Sequence, residues 1–396
     1  MKVKPADRTF LVEEYYFSRK LKQIDDMRRA GADVINLGIG SPDQPPSGNT
    51  LNRLAVEAAK PNVHGYQSYT GIPALRKAFA DWYLRYFNVK LDPEGEILPL
   101  MGSKEGIMHI SMAFVNPGDE VLVPDPGYPT YSSVTNIVGG KVRYYNLKEE
   151  NKWLPDIDSL GKSDLSRTKI MWINYPHMPT GTRASREILS DLVAFASANN
   201  ILLCNDNPYS FILNTEYISI LNVENAMDTA IELNSMSKSH NMAGWRIGMA
   251  AGNREYIKSV LKIKSNMDSG MFMPMQMAAV EALNNPDSWY ENLNSLYRRR
   301  RKTAESILEI LGCTFDRDQA GLFLWGKIPE DIESGEEFAE DILTKTNVFI
   351  TPGFIFGKNG KRYVRISLCA SEDRLSEARE RLASFKTNHS KPTIIS

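Results

Sequence analysis

Short apolar runs alternate with stretches of helical length through the middle of the chain. EVLVPD (120–125) and ILLCND (201–206) have the length and apolar content of buried strands. Strands that alternate with helices of ten or more residues predict a mostly parallel sheet covered by helices. The predicted strands are 120–125, 169–175, 201–206 and 230–237, and the predicted helices are 74–87, 103–115, 185–199 and 254–265.

The two ends of the chain differ from the middle in their pattern of apolar and polar residues. A helical arm is predicted over 11–30, with Leu11, Tyr15, Leu21 and Ile24 roughly on one face. We predict an α/β fold with a large domain of mostly parallel sheet over 46–288, and a smaller α+β domain. This smaller domain would comprise the arm and first part (1–45) and the C-terminal part (289–396). Its predicted elements are a short strand within 35–48, a charged helix over 289–311, apolar runs at 321–328, 348–353 and 363–369, a helix near 336–346 and a final helix.

Composition and charge exclude several classes of function. Hydrophobic residues make up 42% of the 396 residues and charged residues 24%, which are globular values. The formal net charge of −1 lacks the electrostatic footprint of a protein that binds nucleic acid or an anionic membrane. Three scattered cysteines and five histidines without ligand spacing predict neither disulfides nor a metal site. With no apolar signal region at the start, we expect a cytoplasmic protein.

The stretch ELNSMSKSHNMAGWRIGM (232–249) is the most informative about chemistry. It places Lys238 beside Ser235 and Ser237, directly after an apolar run and ahead of Arg246. A phosphate-bearing aldehyde cofactor requires such a set, because the amine forms a Schiff base while hydroxyls and a guanidinium hold the phosphate. Taken alone, the stretch also fits a lysine in a solvated loop.

Asp206 ends a predicted sheet strand, and Tyr209 follows on the next turn. Ligands of open α/β sheets bind beyond the carboxyl ends of strands. An aspartate there can keep a pyridine nitrogen protonated, and the tyrosine can donate to the phenolic oxygen of the ring. The same aspartate could instead cap a helix.

Two further motifs suit a flat, phosphorylated ligand. Gly102, Ser103 and Lys104 lead from a short strand into a helix, whose first backbone N–H groups bind phosphate well. Tyr128 follows a strand and a Pro-Gly turn, where it can stack on a flat ring or pack as an ordinary core residue.

Together these motifs resemble the class I and II aminotransferases, pyridoxal-phosphate enzymes of fold type I. The chain is most similar to the bacterial LL-diaminopimelate, alanine and aspartate aminotransferase-like group, through GSKEG, NPGDEVLVPDPGYP, LKEENKWLPDID and MAGWRIG. The matching elements, which span residues 35–369, are LGIGSPD, HGYQSYTGIPALR, GSKEG, PDPGYP, NYPHMPTG, NDNPY, SMSKSHNMAGWRIG and VRIS.

The resemblance implies a role for each matching residue toward pyridoxal 5′-phosphate. Lys238 would form the Schiff base, and Asp206 would pair with the ring nitrogen. Tyr209 would bond the ring oxygen, and Tyr128 would stack on the ring. The residues implied around the phosphate are Ser103, Lys104, Ser235, Arg246 and, from the neighbouring subunit, Tyr66.

The resemblance also implies how substrate is held. Arg365 would clamp the substrate α-carboxylate, the backbone amide of Gly40 would contact it, and Tyr15 on the arm would cover the site. Because Tyr66 acts across subunits, the implied working unit is a homodimer with shared active sites.

Two positions relate to specificity. Met178 in NYPHMPTG stands where the family usually has an asparagine that touches the ring oxygen and the substrate carboxylate. A thioether donates no hydrogen bond, so Tyr209 alone or His177 would have to serve the ring oxygen. Lys264 lies near the place where aspartate-specific members have an arginine that reads the side chain, and it is a candidate for that role.

The implied reaction is ping-pong transamination through Lys238. An L-amino acid, with alanine, aspartate or LL-diaminopimelate as candidates, gives its amino group to a 2-oxo acid such as 2-oxoglutarate or pyruvate. A pyridoxal-phosphate β-lyase that cleaves C–S bonds would share the same motifs and stays open as the alternative. A transcription regulator on this fold is disfavoured, because the arm begins too near Met1 to leave room for a winged-helix module.

Overall fold

The computed structural model describes residues 3–12, 14 and 16–389, with side chains as far as residue 384; Tyr15 lies outside this part. The strands are β1 (Ile35–Asn36), β2 (Ile97–Leu100), β3 (Glu120–Asp125), β4 (Lys141–Asn146), β5 (Thr168–Ile173), β6 (Leu202–Asp206), β7 (Ala230–Ser235), β8 (Gly248–Gly252), β9 (Phe323–Lys327), β10 (Val348–Phe349), β11 (Thr351–Pro352) and β12 (Tyr363–Ser367). The α-helices are α1 (Tyr16–Arg29), α2 (Gly48–Ala58), α3 (Pro73–Phe87), α4 (Ser103–Phe114), α5 (Pro129–Ile137), α6 (Ile157–Gly161), α7 (Arg186–Ala198), α8 (Met236–Ser239), α9 (Arg254–Lys264), α10 (Met273–Leu283), α11 (Asp287–Ile310), α12 (Gly335–Thr346) and α13 (Glu372–His389).

A seven-stranded sheet in the order β2-β8-β7-β6-β5-β3-β4 forms the centre of the molecule. Strands β3 to β7 pair in parallel, and only β8 runs opposite to its neighbours. The residues of β6 and β7 are buried throughout, because helices cover both faces of the sheet. This architecture confirms the predicted fold class.

Local sequence signals set where the helices around this sheet begin and end. Pro73 opens α3, and Asn88 in the left-handed conformation follows its last residue. Ser185 caps α7 by accepting a hydrogen bond from the backbone N–H of Ile188. Among the described helices, none is both long and apolar enough to span a membrane.

The two ends of the chain meet in smaller sheets beside the central one. Strand β1 pairs in parallel with β10, and β11, β12 and β9 form an antiparallel sheet. One hydrophobic core combines residues from the N-terminal arm with residues from β9 to α13. The pairing of the two ends agrees with the expected α+β part, and the exact division at 46–288 stays a prediction.

The arm helix differs from its prediction in length and in its buried face. Helix α1 begins at Tyr16, and a 3-10 turn over Asp7–Phe10 precedes it. Leu11 is 58% exposed, whereas Ile24 is fully buried. Leu11 lies outside the helix, so it is not on the buried helix face that was predicted for it.

Candidate active site

A cavity of about 620 Å³ opens between the carboxyl ends of the parallel strands and the smaller antiparallel sheet. Tyr66 does not line this cavity and is 95% exposed. The predicted site residues that line it are Gly40, Ser103, Lys104, Tyr128, Asp206, Tyr209, Ser235, Lys238, Arg246 and Arg365.

The sheet topology explains why residues distant in sequence meet here. Asp206 is the last residue of β6, and Ser235 is the last residue of β7. Lys238 lies in the short helix α8 that follows directly. Parallel neighbouring strands end at the same edge of a sheet, so their following residues converge on one ligand site.

The amine of Lys238 faces the smaller sheet across the cavity. Its Nζ donates a hydrogen bond to the carbonyl oxygen of Gly40. Burial lowers the pKa of Lys238, and the charges of Arg365 and Arg246 act in the same direction. A lowered pKa increases the neutral fraction of the amine, which is the nucleophilic form.

Asp206 lines the cavity and has one oxygen without a partner among the described residues. The carboxyl is 4% exposed, and its Oδ2 accepts a hydrogen bond from the Tyr131 hydroxyl at 3.1 Å. Its Oδ1 has no hydrogen-bond partner among the described residues. Burial raises the pKa of Asp206 to about 6, against the opposing effect of the Tyr131 and Ser103 hydroxyls. Oδ1 is therefore a buried acceptor available to a ligand N–H group.

The start of helix α4, which also lines the cavity, suits a phosphate. Helix α4 begins at Ser103, after Gly102 with φ +83°. A Cβ on Gly102 would lie 2.3 Å from Nη2 of Arg246, so only glycine lets the guanidinium approach this helix start. Ser235 Oγ donates to Ser237 Oγ at 2.9 Å nearby. Backbone N–H groups at a helix start, hydroxyls and a guanidinium together form an anion site.

Arg365 is positioned at the side of the cavity that belongs to the smaller sheet. Its guanidinium carbon lies 3.8 Å from the ring centroid of Phe323, and Nη2 donates to the carbonyl oxygen of Gly38 at 2.7 Å. Its Nη1 lies 3.2 Å from the sulfur of Met178. Stacking and hydrogen bonding hold the guanidinium in place, as a bidentate carboxylate clamp requires.

His177 is not placed to serve the ring oxygen in place of the family asparagine. Nδ1 of the imidazole shares a hydrogen bond with the Thr180 hydroxyl at 2.8 Å, and the residue does not line the cavity. Burial lowers the pKa of His177 to about 3, so the ring is neutral. Met178 does line the cavity, beside Tyr209. His177 therefore does not replace the family asparagine.

Lys264 lies outside the cavity in a buried ionic cluster. Its ammonium contacts Glu105 at 3.4 Å and forms a shorter ion pair with Asp268. His109 contacts Glu105 through Nε2 at 2.8 Å. Lys264 does not line the cavity, and its ammonium is held by two carboxylates. This geometry disfavours Lys264 as a residue that reads the substrate side chain.

Tyr131 and Asn174 are among the polar residues of the cavity that sequence reasoning missed. Asn174 donates to the backbone carbonyl of Asp206, and its Oδ1 accepts the backbone N–H of Met178 at 2.8 Å. The available signal was position, because Tyr131 follows the predicted stacking residue Tyr128 by one helical turn.

Comparison with known proteins identifies the family. A family model described as aminotransferase class I and II matches residues 32–382, which is most of the chain. The chain belongs to the class I and II aminotransferases.

Individual aminotransferases are similar to this chain over almost its full length. The LL-diaminopimelate aminotransferase of Aquifex aeolicus is 42% identical over 388 residues, covering 96% of this chain and 99% of the relative. That of Desulforudis audaxviator is 43% identical over 379 residues, covering 95% and 96%. The solved apo structure of BacF from Bacillus subtilis has a TM-score of 0.93 at 34% identity, covering 98% and 99%.

The aminotransferases of this class use pyridoxal 5′-phosphate, and the cavity fits that cofactor. The unpartnered Oδ1 of Asp206 suits a protonated ring nitrogen, and the α4 helix start with Arg246 suits the phosphate. Lys238 lines the same cavity. The chain is therefore a pyridoxal-phosphate-dependent aminotransferase acting on amino acids and 2-oxo acids. The names of its relatives give no support to the β-lyase alternative.

Proposed function

We propose that the amino donor of this aminotransferase is LL-diaminopimelate, with aspartate and alanine as the other candidates, and that 2-oxoglutarate or pyruvate is the acceptor. The names of the relatives at 42–43% identity favour LL-diaminopimelate. The observation that carries the proposed site is one cavity lined by Lys238, Arg365 and the unpartnered oxygen of Asp206.

Lys238 acts as the base and then as the acid of the reaction. Pyridoxal phosphate, when bound, supplies an electron sink for the electron pair left by the departing α-proton. With the cofactor bound, the amine of Lys238 would take the proton from the substrate α-carbon as a base and then give it back as an acid. A burial-lowered pKa keeps the amine in the form that can accept this proton.

The other cavity residues bind and orient the cofactor and the substrate. Asp206 would accept a hydrogen bond from the ring nitrogen, Tyr209 would donate to the ring oxygen and Tyr128 would pack on the ring face. Arg365 holds the α-carboxylate of whichever acid is bound, so it serves both half-reactions. Gly40 borders this carboxylate, and Tyr15 stays a predicted cover for the site. Ser103, Lys104, Ser235 and Arg246, which line the cavity, would hold the phosphate.

We infer that two copies of the chain form the working enzyme. Tyr66 is 95% exposed, which is unusual for a tyrosine on an ordered loop. Its loop is fixed by a bridge between Gln67 and Gly270, and His64 stacks on Phe272 at 5.7 Å. An exposed aromatic side chain on a fixed loop suits insertion into a partner's phosphate site.

The described cysteines are all buried and free, which supports a reducing compartment such as the cytoplasm.

A half-reaction assay tests the proposed donor. Holoenzyme is mixed with one amino acid at a time, without any 2-oxo acid, while cofactor absorbance, oxo-acid release and ammonia are recorded. We expect LL-diaminopimelate to convert the cofactor fastest and to yield one oxo acid per site without ammonia. Faster conversion by alanine or aspartate would contradict the donor assignment, and continuous ammonia release would contradict transamination.

Mixing two inactive variants tests the shared site. Tyr66→Ala and Lys238→Ala homodimers are each expected to have little activity, whereas subunit exchange creates heterodimers with one site that carries neither change. A one-to-one mixture should recover up to about a quarter of wild-type activity, since half the dimers are mixed and half their sites are intact. No recovery after exchange has been verified by mass would contradict a shared site.

A further inference from the structure

Tyr131 occupies a fixed place beside Asp206 that none of the roles above uses. Its hydroxyl donates to Asp206 Oδ2 at 3.1 Å, and the whole side chain is buried. Its ring stacks on the indole of Trp172 with a centroid distance of 5.0 Å and an interplanar angle of 3°. It meets the ring of Tyr128 edge-on at 5.6 Å.

The elements that carry these side chains hold the hydroxyl in position. Tyr131 lies in the first turn of α5, and Trp172 lies in β5 next to β6, where Trp172 pairs with Cys204. The tyrosine ring therefore rests on a rigid sheet surface rather than in a loop. Burial and the neighbouring Asp206 charge raise the pKa of Tyr131, so the hydroxyl keeps its proton and remains a donor.

The two carboxyl oxygens of Asp206 consequently differ in their hydrogen bonding. Oδ2 is held by Tyr131, while Oδ1 has no hydrogen-bond partner among the described residues. One fixed hydrogen bond restricts rotation of the carboxyl group and decides which oxygen a ligand meets. Other ionisable and hydroxyl groups that affect this carboxyl include Ser103, Lys238, Glu232 and Tyr209.

We propose that Tyr131 is a positioning residue that acts through Asp206, fixing its carboxylate so that Oδ1 meets the ring nitrogen of pyridoxal phosphate. The inference rests on the proposed pairing of Asp206 with that nitrogen. A hydrogen bond to the ionised carboxyl also favours its charged form, which the protonated ring requires. Tyr131 touches neither the substrate nor the reacting atoms in this role.

Replacing Tyr131 with phenylalanine removes the hydroxyl but keeps the ring that stacks on Trp172. Asp206 then loses the partner of Oδ2, and its carboxyl can rotate and take up a proton more readily. Loss of one hydrogen bond to a charged group predicts about tenfold weaker binding of pyridoxal phosphate. Binding of an analogue without the ring nitrogen should not change, because Asp206 has nothing to pair with there.

The test uses apo protein titrated with pyridoxal phosphate and with its carbocyclic analogue, in which a C–H group replaces the ring nitrogen. Tyr145→Phe is the matched control, since its buried hydroxyl donates to the Trp172 carbonyl at 2.8 Å and not to Asp206. We expect Tyr131→Phe to weaken only pyridoxal phosphate, and Tyr145→Phe to affect both ligands alike.

Three outcomes would overturn the inference, and they differ in meaning. An equal loss for both ligands in Tyr131→Phe would show a merely structural tyrosine. Unchanged binding of both would show that Asp206 needs no positioning. If the wild-type protein binds both ligands equally, the pairing of Asp206 with the ring nitrogen is itself wrong.

Discussion

Replacing Lys238 with alanine is expected to lower the turnover number by at least about 10⁴-fold. The reason is that one amine both holds the cofactor and moves the α-proton, so its removal abolishes two functions at once. The measurement is the turnover number at saturating donor, acceptor and pyridoxal phosphate. Lys262→Ala, an exposed change on α9, is the matched control and should leave turnover unchanged. Turnover within tenfold of wild type would refute the assignment.

Asp206→Asn is expected to lower turnover by about 10²–10³-fold while making the apo protein more stable. Burial raises the pKa of Asp206 from 3.8 to about 6 in the folded chain. Because the folded pKa lies above the unfolded one, the stability of the wild-type apo protein falls as pH rises from about 4 to about 6. Asparagine carries no charge and avoids this loss. The variant should gain roughly 3 kcal/mol in free energy of unfolding above about pH 7.

Denaturant titrations of both apo proteins check this result across pH. The stability gap should widen by on the order of 1 kcal/mol between about pH 5 and about pH 8. A gap that does not change with pH would mean that Asp206 titrates normally and that its site is more solvated than the structure shows. Added pyridoxal phosphate should stabilise the wild-type protein far more than the variant, because only a carboxylate pairs with the charged ring nitrogen.

The central strands could be predicted closely from the sequence, because strands buried on both faces are nearly continuous apolar runs. Strand β3 begins and ends where EVLVPD does. Strand β8, with the sequence GMAAG, was not predicted, since glycine and alanine have weak strand propensity. Its first residue has a structural reason: a Cβ on Gly248 would lie 2.6 Å from the carbonyl oxygen of Asn234 and 2.9 Å from the backbone nitrogen of Ser103. Close packing against the start of helix α4 therefore requires glycine at position 248.

The candidate site was predictable where one short motif carries a whole chemical task. Asp206, Lys238 and Arg365 belong to such motifs, and the structure brings them to one cavity. Tyr131 was not predictable, since its partner Asp206 is 75 positions away in sequence and only the fold joins them. Tyr66 differs again, because its proposed role requires a second subunit, and within one chain its side chain meets solvent.

Reduction of the wild-type holoenzyme with borohydride, followed by peptide mass analysis, tests most directly that this cavity is the active site. Reduction fixes the cofactor to whichever lysine holds it. The predicted result is one cofactor mass per chain, on the peptide that contains Lys238, and none in Lys238→Ala. Labelling of Lys104, whose side chain lines the same cavity, or of a lysine elsewhere would contradict the account.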